Sequence, residues 1–143
     1  MYSLDHFLKS KTNKGKMREQ KFKYIEISQK IDESTFIALE SDIPNDVIHA
    51  LLSIVWYSGD YTISITITRR FFSSENEFIK GASIECIGHI ARIFGKLPDE
   101  FLNQVFESLN DESYYVRGKA EFTVEDLKVF IKGFKKLHNQ SKK

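Results

Sequence analysis

Residues Asn76 to Phe94, NEFIKGASIECIGHIARIF, recur in weaker form and without a gap 37 positions later, as Ser113 to Ile131. No other feature restricts the possible folds as much. Phe78 pairs with Tyr115, Ile79 with Val116, Lys80 with Arg117 and Gly81 with Gly118, and the match runs on through Ile90 with Leu127 and Phe94 with Ile131. Apolar positions are kept while surface positions drift. A period of this length belongs to helix-pair repeats, in which one unit cannot bury its apolar face alone and neighbours share a core. The expected fold class is all-α, a short α-solenoid of antiparallel helix pairs. In such an array Gly81 and Gly118 should have like surroundings.

Within the repeat, Ile79, Ala82, Cys86, Ile90, Ile93 and Phe94 follow three- and four-residue steps and form one stripe of a helix. Gly81, Ala82, Gly88 and Ala91 are small, and their missing bulk admits a neighbouring helix. An interior glycine costs about 1 kcal/mol relative to alanine, so close packing has to repay it.

Taken in order, residues 1–20 read as a basic arm or short helix, with Leu4, Phe7 and Leu8 before the polar run KSKTNKGK. Residues 21–138 read as the repeat domain and 139–143 as a frayed tail. A helix is expected over Met17–Ile31, and a short helix or turn over Glu33–Glu40. Ser41, Asp42 and Pro44 are an entry signal for a helix over Pro44–Tyr57. Val47 lies 37 positions before Ile84, which makes this segment a third copy of the repeat helix. Leu97–Asp99 opens another helix, and the last is expected to run unbroken from Ser113 to Leu137.

Tyr61 to Thr68, YTISITIT, is the point of conflict. Strict alternation and β-branching read locally as a strand. Yet Asp60–Gly81 aligns without gaps to Leu97–Gly118, whose PDEFLNQVFESLND portion has helical periodicity, and Ile63, Ile67 and Phe71 keep four-residue spacing. The repeat favours a helix.

The formal net charge of +1 conceals a partition. Residues 1–31 carry 8 Lys and Arg against 3 acids, residues 32–112 carry 5 against 14, and residues 113–143 carry 8 against 3. A basic–acidic–basic chain of this kind selects its partners by charge. The single cysteine, Cys86, lies on the apolar stripe, so no intramolecular disulfide can form and a reducing cytoplasm is the expected location. No stretch approaches the ~20 apolar residues of a membrane span, and no association with membranes is expected.

Nothing announces a reaction. His89 with Glu85 one turn earlier could pair a base with its orienter, but no nucleophile elbow accompanies them. The four histidines are scattered without an HExxH pattern, and there is neither GxGxxG nor a phosphate loop. Catalytic residues, metal ligands and cofactor contacts are therefore all assigned as none, and the chain is expected not to be an enzyme.

Carboxylates and tyrosines instead gather at the inter-helix turns. Asp42, Asp46, Glu75, Glu77, Asp111 and Glu112, with Tyr57, Tyr61 and Tyr114, form the candidate partner-binding set. In a stacked array corresponding turns align along a ridge. Such a ridge would dock a basic partner, although helix capping and solubility account for the same acids.

The run FIKGASIECIGHIARIF, its echo YVRGKAEFTVEDLKVFI and the NDES turn between them resemble the small bacterial HEAT-like repeat proteins. The similarity covers about Ile43–Phe134; the strand-like Tyr61–Thr68 and the lysine-rich start depart from it. The resemblance implies a curved solenoid that binds macromolecules. Some compact members look like immunity proteins encoded beside polymorphic or contact-dependent growth-inhibition toxins. It thus implies a non-enzymatic immunity protein of a toxin–antitoxin pair, and the acidic middle of the chain points to a basic, nuclease-type toxin domain as its partner. A nucleic-acid-binding repeat protein using the basic termini, or a general adaptor, are the alternatives; the acidic middle makes nucleic acid the poorer partner.

Overall fold

The structure, a computed structural model, describes residues 27–141. The basic arm read at residues 1–20 lies outside the described residues, as does most of the helix expected from Met17. The described end of that segment, Ile27–Ile31, is not helical. Seven helices follow: α1 Glu33–Ala38, α2 Pro44–Tyr57, α3 Tyr61–Arg70, α4 Glu77–Phe94, α5 Asp99–Ser108, α6 Tyr114–Phe130 and α7 Phe134–Ser141. There is no strand among the described residues.

α2, α3, α4 and α6 begin with the same short-range chemistry, whereas the N-cap of α5 is Pro98, which has no amide hydrogen to offer. Two residues before the N-cap, a side-chain oxygen accepts the N-cap amide: Ser41 for Ile43, Ser58 for Asp60, Ser74 for Asn76 and Asp111 for Ser113. The caps Asp60, Asn76 and Ser113 then accept amides of the first turn with their own side chains. These bonds satisfy donors that a helix start leaves without partners and set the angle at which the chain enters. Asn76 and Ser113 are 37 apart, but Ile43 precedes Asn76 by only 33. The first copy is therefore one helical turn out of register with the others, a slip that leaves nearly the same face inward.

α4 is the centre of the molecule. Besides the stripe residues Ala82, Cys86 and Ile90, it buries Ser83, Ile84, Ile87 and Ala91; Ile79, Ile93 and Phe94 are half-buried. Such all-round burial requires neighbours on several sides, and α2, α3, α5 and α6 supply them, α6 most extensively. α4 and α6 run parallel, since Gly81 lies against Tyr115 near both N-termini and Gly88 against Asp126 further along. The Thr123 hydroxyl donates to the Ile84 carbonyl across the same joint, 3.1 Å away and buried. α2 flanks the other side of α4, where Trp56 meets the His89 ring edge-on, with centroids 5.3 Å apart.

α3 resolves the conflict at YTISITIT in favour of a helix. Asp60 caps it, Ile65 and Ile67 are buried, and Arg69 and Arg70 occupy the last turn, where cations complement the helix dipole. Burial against α2 and α4 outweighs the local strand preference. It also traps the hydroxyls of Ser64 and Thr68, both buried without a hydrogen-bond partner.

Three expectations need correction. The last helix is not continuous: α6 stops at Phe130, Ile131 is extended and Gly133 has a φ of +82°, a conformation glycine adopts without strain. The chain turns there so that Phe134 becomes fully buried and stacks with Phe106 and His138. Residues 139–141, assigned to a frayed tail, continue α7. Gly81 and Gly118 also differ. A Cβ on Gly81 would stand 2.5 Å from Tyr115 Cε2, whereas one on Gly118 would meet nothing within 4 Å. Gly81 receives the next copy's helix, and among the described residues no helix covers Gly118.

Candidate partner-binding site

Because α4 and α6 are parallel neighbours, the turns that start them lie side by side. Ser74, Glu75 and Glu77 from one turn and Asp111, Glu112 and Ser113 from the other line a single open recess of about 480 Å³ with Lys80. Four of the nine predicted residues, Glu75, Glu77, Asp111 and Glu112, are thus brought together, and Tyr114 stands beside them at the start of α6, 83% exposed. Glu75 and Glu112 present free faces to solvent.

The recess is not purely acidic. Lys80 Nζ lies 2.6 Å from Asp111 Oδ2, and Arg117 donates to the carbonyls of Asp111 and Glu112. The Lys80 ammonium, joined by the Ser113 amide, holds the Asp111 carboxyl below its ordinary range. Glu77 accepts the Ser113 hydroxyl, tying the two turns together. Asp111 and Glu77 hold the edge in shape, while Glu75 and Glu112 remain available to a partner.

The other predicted residues do not join this cluster. Asp46 accepts the Ser41 hydroxyl at the start of α2, and Asp42 is exposed in the same turn. Tyr57 and Tyr61 flank the opposite turn, between α2 and α3. Tyr57 is half-buried against Trp56, and Tyr61 packs on Phe94 with Lys96 Nζ 4.5 Å above its ring. Burial raises the Tyr61 phenol above its usual value. Parallel helices place their starting turns at one edge and their closing turns at the other, so the expected single acidic–aromatic ridge is two separate edges.

Glu85 and His89, the pair most reminiscent of an acid–base couple, are built into the α4–α6 joint. His89 Nε2 lies 3.0 Å from Glu85 Oε2, and Lys119 Nζ is 2.7 Å from Oε1. Burial pushes the Glu85 carboxyl up, but the hydrogen bonds from His89 and Lys119 outweigh it, and the group lies below its ordinary value. Cys86 is fully buried, and desolvation drives its thiol far above the usual range, which leaves it an unreactive packing group. Among the described residues no three His, Cys, Asp or Glu side chains are placed to hold a metal ion, and no helix is long and apolar enough to cross a membrane.

The sequence reading missed the outward face of α6, where Phe122 and Val129 are 77% and 73% exposed. The signal was present: both fall outside the inward series Val116, Ala120, Val124 and Leu127. No protein-family model matches the chain, and neither a curated protein nor a solved structure matches it.

Proposed function

We propose that this chain is a non-enzymatic protein-binding module of HEAT-like solenoid type, acting in the cytoplasm as an immunity protein that neutralises a basic, nuclease-type toxin domain. The convergence of Glu75, Glu77, Asp111 and Glu112 on one recess, with the exposed Tyr114 following Ser113 on the same edge, carries this proposal. Enzymes that cut nucleic acid need cationic clefts, and a rigid acidic edge bearing an aromatic side chain occupies such a cleft by charge and shape. The sequestered Cys86 and the committed Glu85 also favour binding over catalysis.

The test is the affinity, at several salt concentrations, for the product of the neighbouring gene. Glu75→Lys with Glu112→Lys should weaken binding at least tenfold at low salt and flatten its salt dependence, without loss of thermal stability, because both side chains are exposed. Unchanged affinity would remove the recess from the interface. Steep salt-dependent binding of the wild type to DNA or RNA would instead favour the nucleic-acid alternative.

A further inference from the structure

The joint between α4 and α6 shows how this chain seats one helix on another. On α4, Gly81 admits the Tyr115 ring, the Ile84 carbonyl receives Thr123, Glu85 pairs with Lys119, and Gly88 is approached by Asp126. Moving 37 positions along, the same four places on α6 are Gly118, Glu121, Phe122 and Glu125. All but Gly118 are exposed, and a Cβ on Gly118 would have open space around it. A recess of about 210 Å³ lies there among Tyr114, Tyr115, Gly118, Lys119 and Phe122. The receiving surface of the repeat is therefore present a second time without a helix on it among the described residues.

We infer that this face of α6 docks a helix of a basic protein partner, seated on α6 as α6 is seated on α4. Three replacements between the copies define its chemistry. Glu85, which takes a lysine, is replaced by Phe122, so the opposing position should be apolar. Ile84 and Gly88 are replaced by Glu121 and Glu125, so the flanks should carry Lys or Arg. A large side chain, tyrosine above all, fills the notch at Gly118. Of the nearby cations, Arg117 lies over the Tyr114 ring and is held by the Asp111 and Glu112 carbonyls, Lys119 is held by Glu85, and Lys128 by Glu125 at 3.1 Å, the last an exposed pair that a partner can displace at little cost. A second copy of the chain is a poorer occupant, because a two-fold axis on this face would set Glu121 and Glu125 against their own equivalents. The proposal rests on the partner-binding role above but concerns a different surface from the acidic recess.

Its test is binding of a stapled synthetic helix to the full chain, followed by fluorescence anisotropy. The helix presents a tyrosine, a leucine one turn on and lysines along both rims; a scrambled peptide of equal composition is the control. The ordered peptide should bind at least tenfold tighter than the scramble. Gly118→Leu, which fills the notch, and Phe122→Lys should each abolish that preference without loss of thermal stability, while Glu75→Lys/Glu112→Lys should keep it. Equal binding of the two peptides, or normal binding by Gly118→Leu, would overturn the proposal and leave the acidic recess to be decided by the neighbouring-gene measurement. So would a dimer in sedimentation that Phe122→Lys dissolves, since the occupant would then be a second copy.

Discussion

α4 and α6 descend from the same sequence pattern and meet opposite fates. α4 is enclosed on nearly every side and buries Ile84, Ile87 and Ile90 completely, whereas α6 buries Val116, Ala120 and Leu127 on one side and leaves Tyr114, Phe122 and Val129 in solvent on the other. Their starts are alike: Asn76 and Ser113 cap equivalent turns, and Ser74 and Asp111 brace them. What differs is the set of helices packed on them: four surround α4, and among the described residues none covers the outward face of α6. The helices packed around each copy, more than the residue itself, decide what an equivalent side chain contributes.

The largest expected effect comes from truncating the enclosed helix. Ile84→Ala should cost about 2–5 kcal/mol in urea unfolding. At its exposed counterpart, Glu121→Ala should stay within about 0.5 kcal/mol. A loss of similar size at both sites would break the contrast between the two helices. Next are the paired glycines. Gly81→Ala forces the Tyr115 ring to move and should destabilise by about 1–3 kcal/mol, while Gly118→Ala, in open space, should stabilise by about 0.5–1 kcal/mol. Gly88→Ala should fall between them, because the atom it meets, Asp126 Oδ2, is the free end of a side chain.

Thr123→Val removes the one buried polar tie that we identify between α4 and α6 and should cost on the order of 1 kcal/mol, leaving the Ile84 carbonyl without its donor. Acid gives a further check. Asp111 and Glu85 both lie below their unfolded values, so the stability they confer is present above about pH 4–5 and is lost as pH falls through their folded pKa values. Lys80→Met or Lys119→Met should flatten the slope of unfolding free energy between about pH 5 and pH 2. The smallest effects belong to α3, where Thr62→Ala and Thr66→Ala, both exposed, should each stabilise by a few tenths of a kcal/mol by relieving β-branching. Destabilisation there would mean that the strand-like sequence serves the fold directly.

Much of this fold was legible because caps and periodicity are local. Asn76, Ser113 and Pro44 mark helix starts, and the repeat itself identified α3 as a helix against its own alternation. The break at Gly133 was written in the sequence but was hidden by the apolar series continuing through Ile131 and Phe134; one residue at positive φ redirected that series onto Phe106. The candidate site was only half legible. Spacing along the chain correctly joined Glu75 and Glu77 to Asp111 and Glu112, but it cannot say which end of a helix a turn occupies, so Tyr57 and Tyr61 were grouped with acids from the opposite edge. Similarly, Gly118 matches Gly81 letter for letter, and only the stacking reveals that one is filled and the other open.

The polar links between units, from Arg70 with Glu40 to Thr123 with Ile84, join residues 30 to 39 positions apart. Among the described residues, nearness in space thus tracks nearness along the polypeptide in each of these ties. A molecule laced in this way gives under tension one stitch at a time, and a pull on α7 should peel that helix and then α6 before α2 feels any load.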